Sequence, residues 1–506
     1  MQVRLRDRFF DNYLHAQMQK FAADPLRPEG KLRAHAGGGE TVHAPASEVV
    51  PTCTTLRTMA DPIEHVIVLM LENRAFDHVL GDCPKIKSKV GHAPNGFNAY
   101  NGVTYTQASG AGRQVTDDPH HDTSDVLVQL QGVGSAATNG GFVLDYARNY
   151  PGLANLGEVM RYHANGALPA IHALAESFTV CDQWHASVPG PTWTNRLFAM
   201  SGTSLGRVKM PNGIMGLNLH WYDQPTVFDR LNEQRKDWKV YFGDTPLSLL
   251  LVHQWEPENV ARHHHMTDFY KDAAGEAAQF PAFAFIEPSY MSPGANDAHP
   301  PHDIIEADVL VARVYNAIRA NEELWMSSLL VVLFDEHGGF YDPVLPPAAI
   351  PPDHHAEEYS FTQYGVRVPA LLVSPYAANG FYSEVLDHTS LLKYLQEKWD
   401  LGDLGARAAG AQSIAAALQA KSGTAAPTSL QTARPAGPPQ LATGTLSSHQ
   451  SALVALSQHL EAMTEEDPGV VAARSRQVLS GPQSQIDVAV DRVEAFIAQQ
   501  SAKVAD

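Results

Sequence analysis

The chain has 506 residues, of which 44% are hydrophobic, and this length predicts one large domain with additions or two to three domains. Its formal net charge of -19 argues against nucleic-acid binding and against broad electrostatic adhesion to anionic membranes. The three cysteines are scattered, so we predict neither a disulfide framework nor a cysteine-based metal site.

Residues 1–60 are predicted to be a flexible lead-in, with a short helix over Phe9–Ala22 and a segment rich in Gly, Ala, His and Pro after it. The basic residues of Met1–Lys20 are not followed by an apolar run, so no signal peptide is visible. No stretch approaches the roughly 20 apolar residues of a membrane-spanning helix. These features leave localisation open between the cytoplasm and export by another route.

Acidic residues follow two apolar runs that are predicted to be buried strands. Glu72 and Asn73 come soon after Ile63–Met70, and the Asp335-Glu336 pair directly follows Leu329–Phe334. In open α/β sheets this carboxyl edge is where ligands bind. Two parallel strands would bring four oxygen ligands to one point, which favours Ca²⁺, Mg²⁺, Mn²⁺ or Zn²⁺. The alternative for Asp335-Glu336 is an ordinary surface turn after a strand.

A Pro-Gly-Pro turn precedes Thr192 and is followed by a helix-like stretch at Leu197–Met200. Free backbone N–H groups and the positive end of the helix dipole make such a turn suitable for an anion. We interpret Thr192 as a nucleophile, with Asn195 one turn further able to donate to the same anion. The alternative is that Thr192 only caps the helix.

Histidines and acids cluster elsewhere in the chain. His121 lies in the polar segment Asp117–Asp122, and His299 and His302 precede a long predicted helix at about Ile304–Ala320. Spacing alone leaves open whether His299 and His302 bind metal, donate to phosphate or cap that helix. His388, at the start of the next predicted helix, faces either solvent or the site.

The alternation of strands and helices, with acids at strand ends, predicts an α/β fold with a mostly parallel sheet flanked by helices. Residues 403–506 are predicted to form an Ala-rich arm followed by amphipathic helices at His449–Met463 and Pro468–Ala502. Because this extension lies outside the acid and histidine motifs, we expect it to shape access or assembly rather than chemistry.

Seven ordered motifs resemble the phosphoesterase family, which includes bacterial and plant non-specific phospholipases C and bacterial acid phosphatases. They are LENRAFDHVLG, DPHHD, SVPGPTWTNRLFAMSGTS, NDAHPPHDI, LFDEHGGFYDPV, GVRVPALLVSPY and LDHTSLLKYL. The resemblance covers about Ile63 to Leu401 and implies an alkaline-phosphatase-like α/β sandwich, with a catalytic domain over residues 61–402.

The resemblance also implies residue roles. The metal ligands would be Glu72, Asn73, Asp335 and Glu336. Thr192 would be the nucleophile beside Asn195, with histidines near the phosphoryl group at His121, His299, His302 and His388. The register of His120 against His121 is open, and the chain departs from the family pattern at Ala75, Thr194 and Pro343.

We therefore predict metal-dependent hydrolysis of phosphate esters through a phospho-threonine intermediate, with phospholipase C activity on phospholipids ahead of acid phosphatase activity on monoesters. An alternative of another class is a non-catalytic metal-binding protein on the same fold. Retention of the acid pairs, the threonine and the histidines argues against that alternative. Oligomeric state does not follow from the sequence.

Overall fold

A computed structural model describes residues 61–89, 95–131, 138–210, 222–291, 294–418, 426–433, 446–464 and 482–505. These residues belong to one compact unit that runs from Ala60 to Asp506. The predicted lead-in and its helix at Phe9–Ala22 lie outside the described residues. The division into a catalytic domain over 61–402 and an extension over 403–506 stays a prediction.

The strands are numbered in chain order. They are β1 His65–Leu71, β2 Phe97–Tyr100, β3 Val103–Thr106, β4 Ala108–Ser109, β5 Arg161–Tyr162, β6 Thr179–Cys181, β7 Trp238–Phe242, β8 His263–His265, β9 Phe283–Glu287, β10 Ser328–Phe334, β11 Ala370–Val373 and β12 Gly380–Tyr382.

The α-helices are numbered in the same way. They are α1 Phe76–Leu80, α2 Pro84–Ser88, α3 Thr123–Leu130, α4 Phe142–Asn149, α5 Pro169–Ser177, α6 Thr192–Ser201, α7 Val227–Glu233, α8 Pro257–Val260, α9 Met266–Ala274, α10 Ile304–Ala320, α11 Glu322–Met326, α12 His388–Trp399, α13 Gly405–Gly410, α14 Ser448–Thr464 and α15 Pro482–Ala505. Short 3₁₀ helices cover Leu156–Met160, Leu247–Leu250, Val252–Trp255, Ala277–Gln279 and Ile414–Ala417.

The main sheet has eight strands in the order β12-β6-β11-β10-β1-β9-β7-β8. Its pairings are parallel except for the two that β11 makes, with β10 and with β6. The predicted α/β class with a mostly parallel sheet is therefore confirmed. The central strands β1 and β10 are buried along their whole length, which explains why their sequences are continuous apolar runs.

The register of the two central strands brings two pairs of residues together, Glu72-Asn73 after β1 and Asp335-Glu336 after β10. Leu71, the last residue of β1, pairs with Phe334, the last residue of β10. The backbone N–H of Asp335 then donates to the carbonyl oxygen of Leu71 at 3.0 Å. Because both chains leave the sheet at the same level, Glu72 and Asp335 emerge side by side at the carboxyl edge.

Helix α10 begins and ends where the sequence predicts, and its first turn is capped by Asp303, whose carboxylate accepts from the N–H of Ile305 at 3.0 Å. The predicted strand around Val366–Pro375 is shorter than expected, since only Ala370–Val373 pairs in the sheet. The second predicted C-terminal helix is described over Pro482–Ala505, and the earlier part of its predicted range, from Pro468, lies outside the described part of the chain.

The C-terminal helices pack onto the body of the protein. Leu453, Leu456 and Leu460 of α14 and Phe496 of α15 belong to the same hydrophobic core as the central strands. The predicted arm over residues 404–444 contains α13 and a 3₁₀ helix in its described part. Within the described residues, no helix is both long enough and apolar enough to span a bilayer.

Candidate active site

Glu72 and Asn73 leave β1 through a sharp turn. Asn73 has a φ of 59°, a left-handed conformation that residues other than glycine rarely adopt. The backbone N–H of Glu72 donates to the carbonyl oxygen of Asp297 at 2.7 Å, and that of Asn73 donates to Asp335 Oδ1 at 3.1 Å. The turn is therefore fixed by its neighbours, and such strain is common at functional sites.

Asp335 and Glu336 lie beside this turn and are fully buried. Asp335 Oδ1 also accepts from the N–H of Glu336 at 2.7 Å, while Glu336 Oε2 accepts from the N–H of Gly338 at 2.6 Å. His337 lies 3.4 Å from Glu336 through Nδ1 and 2.7 Å from Gln129 Oε1 through Nε2. The backbone and His337 thus orient both carboxylates.

Arg196 is the cation that the described structure places among these acids. Its Nε lies 3.3 Å from Glu72 Oε1 and 3.0 Å from Asp335 Oδ2, and it is fully buried. The sequence interpretation assigned Arg196 no role. The sequence did hold a sign of such a role, because Arg196 follows Thr192 by one helical turn and the two residues therefore share one face of the helix.

Burial raises the pKa of Glu72 well above its usual value; Arg196 opposes this shift, and the nearby Asp335 adds to it. Burial likewise raises the pKa of Asp335, against the effect of Arg196. One guanidinium therefore does not fully offset the cost of burying these carboxylates.

Thr192 is the first residue of α6 and is almost fully buried. Its hydroxyl Oγ1 lies 3.4 Å from Asn73 Oδ1, which puts it next to the acid pairs. The preceding cap residue is Pro191, and the helix makes no side-chain cap hydrogen bond. Thr192 thus lies at the open N-terminus of the helix rather than capping it.

Asn195 is not directed at the acid pairs. Its Oδ1 accepts from the N–H of Val188 at 3.1 Å, and its Nδ2 donates to the carbonyl oxygen of Gly190 at 2.9 Å. The amide therefore holds the Val188–Pro191 turn that precedes Thr192. Both ends of the amide are therefore used within the protein, and the expected contact of Asn195 with a phosphoryl oxygen stays a prediction.

His121 is the member of the His120-His121 pair that faces the site, since His120 is exposed. Its Nδ1 donates to the carbonyl oxygen of Pro119 at 2.9 Å, and its Nε2 lies 3.0 Å from Asn73 Nδ2 and 3.6 Å from Glu336 Oε1. Burial acts to lower the pKa of His121, but Glu336, Asp118 and the hydrogen bond to Pro119 together outweigh it, so the pKa is raised to about 9.

His299 and His302 lie beside the same site, with their ring centroids 6.5 Å apart and His299 5.8 Å from His121. His302 Nδ1 lies 2.8 Å from Asp297 Oδ1. Burial acts to lower the pKa of His302, but Asp297 outweighs it, so the pKa is raised. His299 Nδ1 hydrogen-bonds the carbonyl oxygen of Pro300.

His388 lies behind Asp335 rather than facing the cluster. Its Nε2 donates to the backbone carbonyl oxygen of Asp335 at 2.6 Å, and its Nδ1 accepts from Trp184 Nε1 at 3.2 Å. Burial lowers the pKa of His388 to about 4. Both ring nitrogens are therefore engaged within the protein, and the expected place of His388 beside a phosphoryl group stays a prediction.

The extension contributes a histidine that the sequence interpretation missed. His449, on α14, has its Nε2 4.0 Å from Glu72 Oε1 and its ring 6.2 Å from that of His299. No motif pointed to it, because it follows the last motif by many residues of low-complexity sequence. The expectation that the extension shapes access or assembly rather than chemistry stays a prediction, although the structure places this one residue of the extension beside Glu72.

Three buried carboxylate oxygens at the site have no hydrogen-bond partner among the described residues: both of Glu72 and Oε1 of Glu336. Unpaired buried carboxylate oxygens are costly, and a bound cation would satisfy them. Within the described residues, no group of three or more His, Cys, Asp or Glu side chains is already arranged to hold a metal ion. The donor chemistry fits a divalent cation, and the side chains would have to close around it.

The fold and this site define an α/β protein with a buried acid-rich centre at the carboxyl edge of its sheet. The phosphoesterase family model matches residues 63–402, and the chain belongs to that family.

Two plant relatives are similar over part of the chain. Non-specific phospholipase C6 from Arabidopsis thaliana is 36% identical over 338 residues, which cover 63% of this chain and 63% of the relative. Non-specific phospholipase C4 from the same plant is 30% identical over 346 residues, again with 63% of each chain covered. The match therefore spans less than two thirds of the length of these relatives.

A bacterial relative, non-hemolytic phospholipase C from Pseudomonas aeruginosa, is 27% identical over 387 residues, covering 67% of this chain and 54% of the relative. Among solved structures, a protein in the alkaline phosphatase superfamily from Vibrio parahaemolyticus aligns over 69% of each chain, with 10% identity and a TM-score of 0.32.

Proposed function

We propose that this protein is a phosphoric ester hydrolase that cleaves phospholipids in the manner of a phospholipase C, through a phospho-threonine intermediate. The observation that carries the proposal is the position of Thr192. Its hydroxyl lies at the N-terminus of α6, 3.4 Å from the Asn73 amide and beside two buried acid pairs.

We propose that a divalent cation is held by Glu72, Asn73, Asp335 and Glu336. The unpartnered oxygens of Glu72 and Glu336 support this assignment, together with the preference of hard and borderline cations for oxygen ligands. When bound, such a cation lowers the pKa of a nearby hydroxyl and polarises a phosphoryl oxygen. Its identity among Ca²⁺, Mg²⁺, Mn²⁺ and Zn²⁺ is left to experiment.

In the first step Thr192 acts as an alkoxide that has released its proton to solvent, and its Oγ1 forms a bond to phosphorus as the ester P–O bond breaks. The backbone N–H groups at the start of α6 and the helix dipole stabilise the oxyanion charge. Asn195 keeps the preceding turn in place so that these donors point at the phosphoryl group. Arg196 stays paired with Glu72 and Asp335 beneath the reacting atoms.

The leaving alkoxide needs a proton, and His302 fits this role. Its raised pKa, caused by Asp297, keeps the ring protonated at higher pH than an ordinary histidine. In the second step water attacks phosphorus and gives a proton to the same imidazole, while the bond to Thr192 Oγ1 breaks and regenerates the threonine alkoxide. His121 and His299 line the position that the phosphoryl oxygens would occupy.

The diester substrate is supported by the names of the relatives, which are phospholipases C in plants and bacteria. Purified protein should be stripped with a chelator and then assayed with p-nitrophenyl phosphorylcholine and with p-nitrophenyl phosphate. Each of the four cations should be added back in turn. We expect activity to disappear on chelation, to return with at least one cation, and to be greater on the diester.

Faster turnover of the monoester would instead support the acid phosphatase alternative. Full activity after chelation, with elemental analysis showing no bound metal, would remove the cation from the account. A folded protein that hydrolyses neither substrate with any cation would contradict the proposed function and favour a non-catalytic binding role.

A further inference from the structure

Helix α14 places one imidazole in the site from outside the region that the family model matches. His449 is 4% exposed, and its ring packs 5.3 Å from that of Tyr290. The start of the helix is held against the same loop, since Gln450 Nε2 donates to the carbonyl oxygen of Tyr290 at 3.4 Å. The position of the ring is therefore set by contacts with Tyr290.

Neither ring nitrogen of His449 has a hydrogen-bond partner among the described residues, and the same holds for both carboxylate oxygens of Glu72. The nearest approach between the two groups is 4.0 Å, from His449 Nε2 to Glu72 Oε1. That distance is too long for a hydrogen bond. Two buried polar groups that face each other without bonding point to a bound species that would satisfy both.

The negative charge of the neighbouring Glu72 carboxylate favours a cation as the bound species. An anion held by His449 Nε2 would lie against the Glu72 carboxylate and be repelled by it. A divalent cation accepts both a carboxylate oxygen and an imidazole nitrogen as ligands. Arg196 also contacts Glu72, with its Nε 3.3 Å from Oε1, but makes no hydrogen bond to either carboxylate oxygen.

We infer that His449 supplies a nitrogen ligand to the divalent cation of this site, in addition to the four oxygen-bearing residues. The inference rests on the proposed cation but not on the identity of the substrate. An imidazole ligand shifts the preference of an oxygen-rich site from Ca²⁺ and Mg²⁺ toward Zn²⁺. It also makes the docking of α14 depend on whether the cation is bound.

The test is titration calorimetry of the chelator-stripped full chain with Zn²⁺ and with Ca²⁺, for the parent and for His449→Gln. Glutamine keeps a polar side chain of similar length but is a poor ligand for Zn²⁺. We expect His449→Gln to weaken Zn²⁺ binding by about tenfold or more and to change Ca²⁺ binding much less. The matched control is His459→Gln on the same helix, whose ring is 5.4 Å from Trp255, and it should leave both affinities at the parent values.

Equal Zn²⁺ affinity in the parent and in folded His449→Gln would overturn the inference while leaving the proposed function intact. A parent that binds neither cation would overturn both the inference and the cation assignment. A parent that binds Zn²⁺ through His449 but hydrolyses no phosphate ester would keep the inference and contradict the function.

A measurement on the parent alone removes any dependence on variant folding. Anomalous diffraction from crystals soaked with Zn²⁺ should place the ion at a bonding distance from a His449 ring nitrogen, roughly 2.1 Å for imidazole on zinc. An ion held by the acid pairs, with His449 clearly beyond bonding distance, would contradict the inference.

Discussion

At the scale of single residues, the proposed role of Thr192 as the nucleophile rests on what surrounds its hydroxyl. The side chain is buried, and its Oγ1 lies 3.4 Å from the Asn73 amide oxygen. An α-helix leaves the backbone N–H groups of its first turn without intrahelical partners, which suits the start of α6 to binding an anion. A threonine that only capped a helix would instead turn its oxygen toward these N–H groups.

Thr192→Val tests this role, because it removes the attacking atom and keeps the shape of the side chain. Turnover of a phosphodiester should fall by several orders of magnitude, as when a covalent catalyst loses its nucleophile. Thr192→Ser should keep part of the activity. The measurements are kcat and the melting temperature of each variant.

Thr194→Val is the matched control, since Thr194 is a buried threonine on the same helix whose hydroxyl donates to the carbonyl oxygen of Arg207 at 3.4 Å. It should cost about 1 kcal/mol of stability and leave kcat near the parent value. Near-parent turnover in Thr192→Val, with a lowered melting temperature, would reduce Thr192 to a structural residue.

The sequence predicts part of this site well, because strand ends are local features. The position of Glu72 and Asp335 after two apolar runs was sufficient to predict that they would meet. Asn195 and His388 were harder, since a motif does not show that their polar atoms are already bonded within the protein. His449 was out of reach, because its approach to Glu72 depends on how α14 packs.

At the scale of elements, the turn after β10 shows why a glycine follows the acids. Gly338 has a φ of 61°, and a Cβ built on it would lie 2.2 Å from the backbone carbonyl oxygen of Asn73. The close approach of these two turns lets the N–H of Gly338 bind Glu336 Oε2. Any side chain at this position would push the acid-bearing turns apart.

Gly338→Ala should therefore destabilise the protein and weaken divalent cation binding together. The unfavourable φ alone costs roughly 1 kcal/mol or more, and the clash with Asn73 adds to it. Chemical denaturation and a cation titration on the same sample measure both effects.

The control for this change is Gly380→Ala in β12, where a Cβ meets nothing within 4 Å. That variant should match the parent in both measurements. Parent-like stability and cation affinity in Gly338→Ala would show that the two turns are not tightly coupled.

Element boundaries followed from the sequence where strong local signals exist. Helix α10 was predicted from end to end, because an aspartate caps its start and its apolar residues repeat at helical spacing. The strand β11 is shorter than predicted, since its limits depend on where the neighbours β10 and β6 stop pairing with it. Strand ends that are set by pairing with neighbouring strands cannot be read from the local sequence.

At the scale of the whole molecule, buried histidines make stability depend on pH. His263, on β8, donates through Nδ1 to the carbonyl oxygen of Asn259 at 3.1 Å and lies 3.0 Å from Ser248 Oγ through Nε2. Burial lowers the pKa of His263 to about 4. The folded state therefore favours the neutral ring, and the unfolded chain binds the proton more readily.

The stabilisation from a neutral His263 is complete above its unfolded pKa near 6.5 and is lost as the pH falls toward 4. The lost free energy of unfolding amounts to about 3 kcal/mol at the lower pH. His263→Gln removes this proton linkage, so the stability difference between parent and variant should shrink by that amount on acidification. Urea denaturation across this range measures it.

The exposed His354 provides the control, since His354→Gln removes one histidine without touching the core. The free energy of unfolding of His354→Gln should equal that of the parent at each pH. A constant difference between the parent and His263→Gln across the same range would contradict the burial argument.

The central claim is that the whole fold, from the paired ends of β1 and β10 to the turn before α6, positions Thr192 to accept a phosphoryl group. The most direct test is to mix the cation-loaded enzyme with a phosphodiester, quench with acid within one turnover, and locate the phosphate by peptide mass spectrometry. We predict phosphate on Thr192 and none in the Thr192→Val variant. Phosphate trapped on another residue, or rapid turnover with no phosphorylated protein at any quench time, would contradict the account.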